Sequence, residues 1–111
     1  MAESVRQPKR TEFSLREDIP NRDAFITFSK TIATAGNPAI IHADKSIPDG
    51  YSLVVKGKKG NTGNVLIGES VSNLKYVMGP NEFISLRIAN ANLVFIDVTV
   101  NGEGVDCIVE Q

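Results

Sequence analysis

Apolar and polar residues alternate with a period of two over short runs, and glycine, proline and asparagine break the runs. That pattern predicts strands joined by turns. Ile84, Leu86 and Ile88 alternate with Phe83, Ser85 and Arg87. Tyr51, Leu53 and Val55 fall on one face of a strand, with Ser52, Val54 and Lys56 on the other. The longest apolar run is 93–100. Its pattern puts Val94, Ile96, Val98 and Val100 toward a core and Asp97 and Thr99 toward water. Residues 23–33, 39–43, 65–67 and 105–110 supply further strands, and the Phe, Ile and Thr of 23–33 favour strand over helix.

Turn chemistry separates these runs. Ile47-Pro48-Asp49-Gly50 presets φ at Pro48 and frees it at Gly50. Gly79-Pro80-Asn81-Glu82 is a second turn, and Asn90-Ala91-Asn92 a tight connection. Asn101-Gly102 predicts a hairpin between 93–100 and 105–110. Residues 57–64 hold Gly57, Gly60, Gly63, Asn61 and Asn64, and read as the loop of a hairpin joining 51–56 to 65–67. Residues 69–79 read as loop, with Leu74, Tyr76, Val77 and Met78 as packing points. Seven or eight strands at roughly ten-residue spacing, with no helical period, predict an all-β antiparallel sandwich or jelly roll.

Residues 1–22 break the pattern. Charges of both signs crowd around Pro8 and Pro20, with few bulky apolar residues. The segment reads as a tail, or as an extended arm that orders on a neighbouring subunit. In the second reading Arg6, Lys9, Arg10, Phe13, Leu15 and Arg16 make protein contacts. The division is therefore an arm, 1–22, and a sandwich domain, 23–111.

At 111 residues the chain has the size of one domain. With no Trp, the core must be built mainly from Val, Ile and Leu. A net charge of −1 gives no electrostatic case for nucleic acid. No apolar run approaches the roughly 20 residues of a membrane helix, and the first residues lack the apolar stretch of a secretion signal. Both point to synthesis and assembly in the cytoplasm, with no membrane partner.

Candidate chemistry is sparse. His42 is the only histidine, with Asp44 two positions on, too few ligands for a metal site. Cys107 is the only cysteine, which excludes an internal disulfide, and it reads as a small buried apolar residue. Asp97, Glu103, Asp106 and Glu110 read as solvated charges rather than as a catalytic pair. The Gly57–Gly63 loop lacks the spacing of a phosphate-binding loop and no helix follows it. Lys56, Lys58 and Lys59, with Lys75 expected near, form a basic spot that is either a solvated loop or a contact, Lys58 and Lys59 foremost, to an acidic protein surface, a phosphate or a glycan. No nucleophile, base and orienting group stand together, so the expectation is a protein without catalysis or cofactor. Tyr51, Tyr76 and Phe83 are the aromatic platforms a carbohydrate-binding module would use.

From Ile47 to Gln111 the chain resembles small structural proteins of tailed bacteriophages. The residues that carry this are Ile47–Gly50, Leu53–Lys56, Gly60-Asn-Thr-Gly-Asn-Val-Leu-Ile-Gly68, Gly79-Pro-Asn-Glu82 and Val100-Asn-Gly-Glu-Gly-Val105. The resemblance implies a virion protein of the decoration (cement), head-fibre or tail-associated kind. The first of these would bind and stabilise the shell of major capsid protein on the capsid surface. A homo-oligomer, most simply a homotrimer, would cover exposed sheet edges and multiply weak contacts.

Overall fold

The computed structural model describes residues 26–111. The predicted arm and its six contact residues lie outside that range. The short apolar runs become eight strands among the described residues. They are β1 (Ile26–Thr31), β2 (Ala39–Ile40), β3 (Ser52–Gly57), β4 (Val65–Gly68), β5 (Tyr76–Met78), β6 (Phe83–Leu86), β7 (Phe95–Val98) and β8 (Gly104–Glu110). One turn of 3-10 helix, η1 (Ala91–Leu93), precedes β7, and the Asn90 side chain caps it by accepting from the Asn92 N–H.

The strands form two four-stranded antiparallel sheets, ordered β1-β8-β3-β6 and β2-β7-β4-β5. In each, a strand from the first half of the eight pairs with its mirror from the second: β1 with β8, β2 with β7, β3 with β6, β4 with β5. That is one long antiparallel ribbon rolled on itself, the topology of a jelly roll. The predicted fold class holds, and the topology selects the jelly roll from its two options.

The same topology corrects both predicted hairpins. β3 and β4 lie in different sheets, as do β7 and β8. The loops after β3 and β7 are therefore arches between sheets. Asn-Gly chemistry fixes a reversal but not the strand that pairs next. At Asn101-Gly102 the Glu103 N–H donates to the Val100 carbonyl and only Gly102 has positive φ, 80°. That is a type II pattern, not the type I′ turn of a hairpin. Among the described residues the one hairpin is β4–β5, across a segment expected to be loop throughout. Strand β5 is only three residues at a sheet edge, too short to show a period.

The core lies between the inner faces. Leu53 and Val55 of β3 and Val105, Cys107 and Val109 of β8 meet Val65 and Ile67 of β4, Met78 of β5, and Ile96 and Val98 of β7. Burying each large aliphatic side chain contributes about 1.5–3 kcal/mol. Tyr51, Ile41, Ile47 and Val94 close the core at the loops. The faces predicted for 51–56 and for 83–88 hold. Two positions of 93–100 do not. Val100 lies past the end of β7 and is exposed, while Asp97 is buried to 8% exposure. Asp97 does point to the outer face of its sheet, beside Leu66. The segment after β1 covers it there, and the Gly36 N–H donates to its carboxylate at 3.0 Å. Such a covering segment is invisible to a period-of-two pattern.

Candidate functional site

One end of the sandwich gathers the residues of the 57–64 loop and the 99–106 turn. Lys58 donates to the Asp106 carboxylate at 2.7 Å, and the Ser29 hydroxyl donates to the same oxygen, Oδ1, at 2.7 Å. Both bonds hold the Asp106 carboxyl below its ordinary 3.8, Lys58 more than Ser29. Beside them the Glu103 carboxylate accepts from the Thr62 N–H at 2.7 Å, the Thr62 hydroxyl at 2.8 Å and the Gly63 N–H at 3.0 Å. The Thr62 N–H is the main cause of a Glu103 pKa below 4.5. The buried Asn61 amide binds the Gly104 peptide. Glycine is required at 104 because a Cβ there would strike the backbone of Lys30 and Thr31. These bonds tie the 57–64 loop to the turn before β8 and to the first residues of β8.

The predicted contact lysines part company in this geometry. Lys58 is half-buried and committed to Asp106. Lys59 is exposed at the loop. His42 packs edge-on against Phe28, ring centroids 4.7 Å apart, and its Nδ1 meets the Ala43 carbonyl at 2.7 Å. A carbonyl oxygen only accepts, so Nδ1 carries the proton. Asp44 instead accepts from the Asn90 amide at 2.6 Å, so His42 and Asp44 form no pair. Cys107 is buried as expected, and burial pushes its thiol up to about 12. The four carboxylates are dispersed: Asp97 is buried, Glu103 and Asp106 serve the framework, and Glu110 is exposed. Among the described residues no group of three His, Cys, Asp or Glu is placed to hold a metal.

Among the described residues, two largely apolar surfaces stand open. The first is the flank where the free edges β5 and β6 leave the sandwich ajar. Ile84, Leu86 and Ile88 line a cleft of about 330 Å³ there, with Tyr76 and Leu93 at its mouth. Tyr76 and Leu93 are 49% and 52% exposed. The second is the outer face of the β1-β8-β3-β6 sheet, where a groove of about 590 Å³ runs past Phe83, itself 66% exposed. Of the three aromatic platforms, Tyr51 is removed by burial, while Tyr76 and Phe83 stand on these two surfaces. Strand alternation found Phe83. Nothing in the sequence joins Ile84, Leu86 and Leu93 to Tyr76, because that cleft exists only once the edges of two sheets meet.

No family model, curated protein or solved structure matches this chain.

Proposed function

We propose that this chain is a structural protein of a tailed-bacteriophage virion, a decoration protein that seats on the major capsid protein and stabilises the shell. The observation that carries this reading is the β5–β6 flank. Tyr76 and Leu93 leave large side chains about half exposed at the mouth of an apolar cleft lined by Ile84, Leu86 and Ile88. Concentrated apolar exposure of this kind is suited to a lasting protein contact. The jelly roll, a fold that capsid proteins use, supports it, as does the resemblance that begins at Ile47.

In this reading the protein acts by binding alone, and the edges β5 and β6 are covered in the assembly, most simply as a trimer on a local three-fold axis. Arg6, Lys9, Arg10, Phe13, Leu15 and Arg16 add contacts across subunit joints, and Lys59 adds a charge at the loop. The protein is made in the host cytoplasm and ends on the capsid surface.

The test uses capsids lacking the protein, to which the purified full chain is added back. Occupancy is read by sedimentation and by cryo-EM density. Tyr76→Asp with Leu93→Asp should lower occupancy at least tenfold while circular dichroism stays native, and so should deletion of residues 1–20. Density at the tail or on a head fibre would move the protein to an adaptor role. Native occupancy by both variants would overturn the reading.

A further inference from the structure

The outer face of the β1-β8-β3-β6 sheet carries two rows of side chains fixed by register. One row crosses all four strands as Ser29, Asp106, Lys56 and Phe83. The next crosses as Thr27, Ile108, Val54 and Ser85. Neighbours in a row are one inter-strand spacing apart, about 4.8 Å, so each row runs about 14 Å. All of these but Ser85 line the groove of about 590 Å³. The first row therefore presents a hydroxyl, a carboxylate, an ammonium and an aromatic ring side by side. The second gives the groove an apolar floor at Val54 and Ile108.

The polar groups are set for an outside ligand. Ser29 and Lys58 both donate to Asp106 Oδ1, which fixes the carboxylate. Oδ2 accepts from no described residue, and the Asp106 side chain is 45% exposed. The Lys56 ammonium has no hydrogen bond or ion pair among the described residues. An anchored acceptor thus stands next to an uncommitted donor, with a ring that is 66% exposed beyond them.

We propose that this groove binds a neutral glycan, one sugar ring lying on Phe83 and two vicinal hydroxyls bridging Asp106 Oδ2 and Lys56 Nζ. One hydroxyl donates to the carboxylate and its neighbour accepts from the ammonium. The C–H face of the sugar covers Phe83, Val54 and Ile108. A basic segment meets Lys56 and Lys58, an acidic segment meets the open Oδ2 of Asp106, and a neutral polyol bonds to Oδ2 and to Lys56 without placing like charges together. The site is independent of the flank proposed for the capsid, which uses Tyr76 and Leu93.

The test is an amide-resolved NMR titration of the full chain with neutral trisaccharides of glucose, galactose, mannose and N-acetylglucosamine. At least one should shift amides confined to 27–29, 54–56, 83–85 and 106–108, with millimolar or tighter affinity. Phe83→Ala and Lys56→Met, both at solvent-facing positions, should each weaken that binding at least fivefold with the rest of the spectrum native. Capsid occupancy of both variants should stay native, which separates this site from the flank. Silence toward every trisaccharide, shifts at the β5–β6 flank instead, or full binding by Phe83→Ala would overturn the proposal. So would saturable binding of an acidic or basic peptide in the groove that the sugars do not displace.

Discussion

The carboxamide of Asn61 pairs with both polar groups of Gly104: Nδ2 donates to the carbonyl at 2.9 Å, and Oδ1 accepts from the N–H at 3.4 Å. Gly104 stands opposite Thr31 in β1, so the loop after β3 reaches the first residue of β8 where β1 also meets it. A side chain here does what a neighbouring strand does elsewhere in the sheet. It also explains how a polar residue tolerates 8% exposure, since both ends of the amide find a partner.

Removing that amide leaves buried groups of Gly104 with less to bond. Asn61→Ala should cost about 1–3 kcal/mol in urea unfolding, with the slope unchanged. Asn61→Asp should cost at least as much, because a carboxylate accepts from the N–H but faces the carbonyl with no donor. Stability equal to the native chain in both variants would show that the pairing contributes nothing.

The loop glycines separate by space. A Cβ at Gly104 would overlap the Lys30 carbonyl and come within 2.7 Å of the Thr31 Cα, and a strand backbone cannot step aside singly. At Gly60 nothing lies within 4 Å. Gly104→Ala should destabilise by about 3 kcal/mol and Gly60→Ala by less than about 0.5 kcal/mol. Thermal unfolding of the two variants side by side decides it, and equal melting points would contradict the assignment.

The pairing of Asn61 with Gly104 also marks how far sequence reasoning reaches. Period-two alternation located β3, β6 and β7 and assigned the inner faces of β3 and β6, because an inward side chain in a two-layer sandwich must be apolar. It failed at Asp97, where a crossing segment buries a position that the strand alone leaves wet. Turn residues located the reversals at Gly50, Gly79–Glu82 and Gly102, but the hairpins drawn across 57–64 and at Asn101-Gly102 were arches. Glycine and asparagine encode a local bend, whereas sheet membership depends on partners tens of residues away. For the same reason Lys58 read as a free contact. Its partner Asp106 is 48 residues further on and becomes a neighbour only across β3 and β8.

The Lys58–Asp106 pair predicts an acid-sensitive component of stability. Asp106 has a folded pKa below its ordinary 3.8, so its contribution is present above that value and is lost as pH falls through the lower folded one. With side chains 30% and 45% exposed, solvent limits the effect to about 1 kcal/mol or less. Asp106→Asn should therefore lower stability at about pH 6, and by progressively less as pH falls below 3.8. Urea midpoints measured from about pH 6 downward test this, and a loss that does not shrink with acid would mean the charge is not what Lys58 and Ser29 hold.

Cys107 predicts the opposite dependence. It is 4% exposed between the sheets, and burial, helped by the neighbouring Asp106 charge, raises its pKa to about 12 from 9.0. The folded chain holds the proton more tightly than the unfolded chain. Its stability contribution is therefore complete below pH 9.0 and declines as pH climbs toward about 12. The thiolate is the reactive form, so the native thiol should alkylate with iodoacetamide at least tenfold more slowly than in urea at about pH 8. Labelling should follow the unfolded fraction through a urea titration. Fast modification of the native chain would place Cys107 at the surface and contradict the packing of β8 against the opposite sheet.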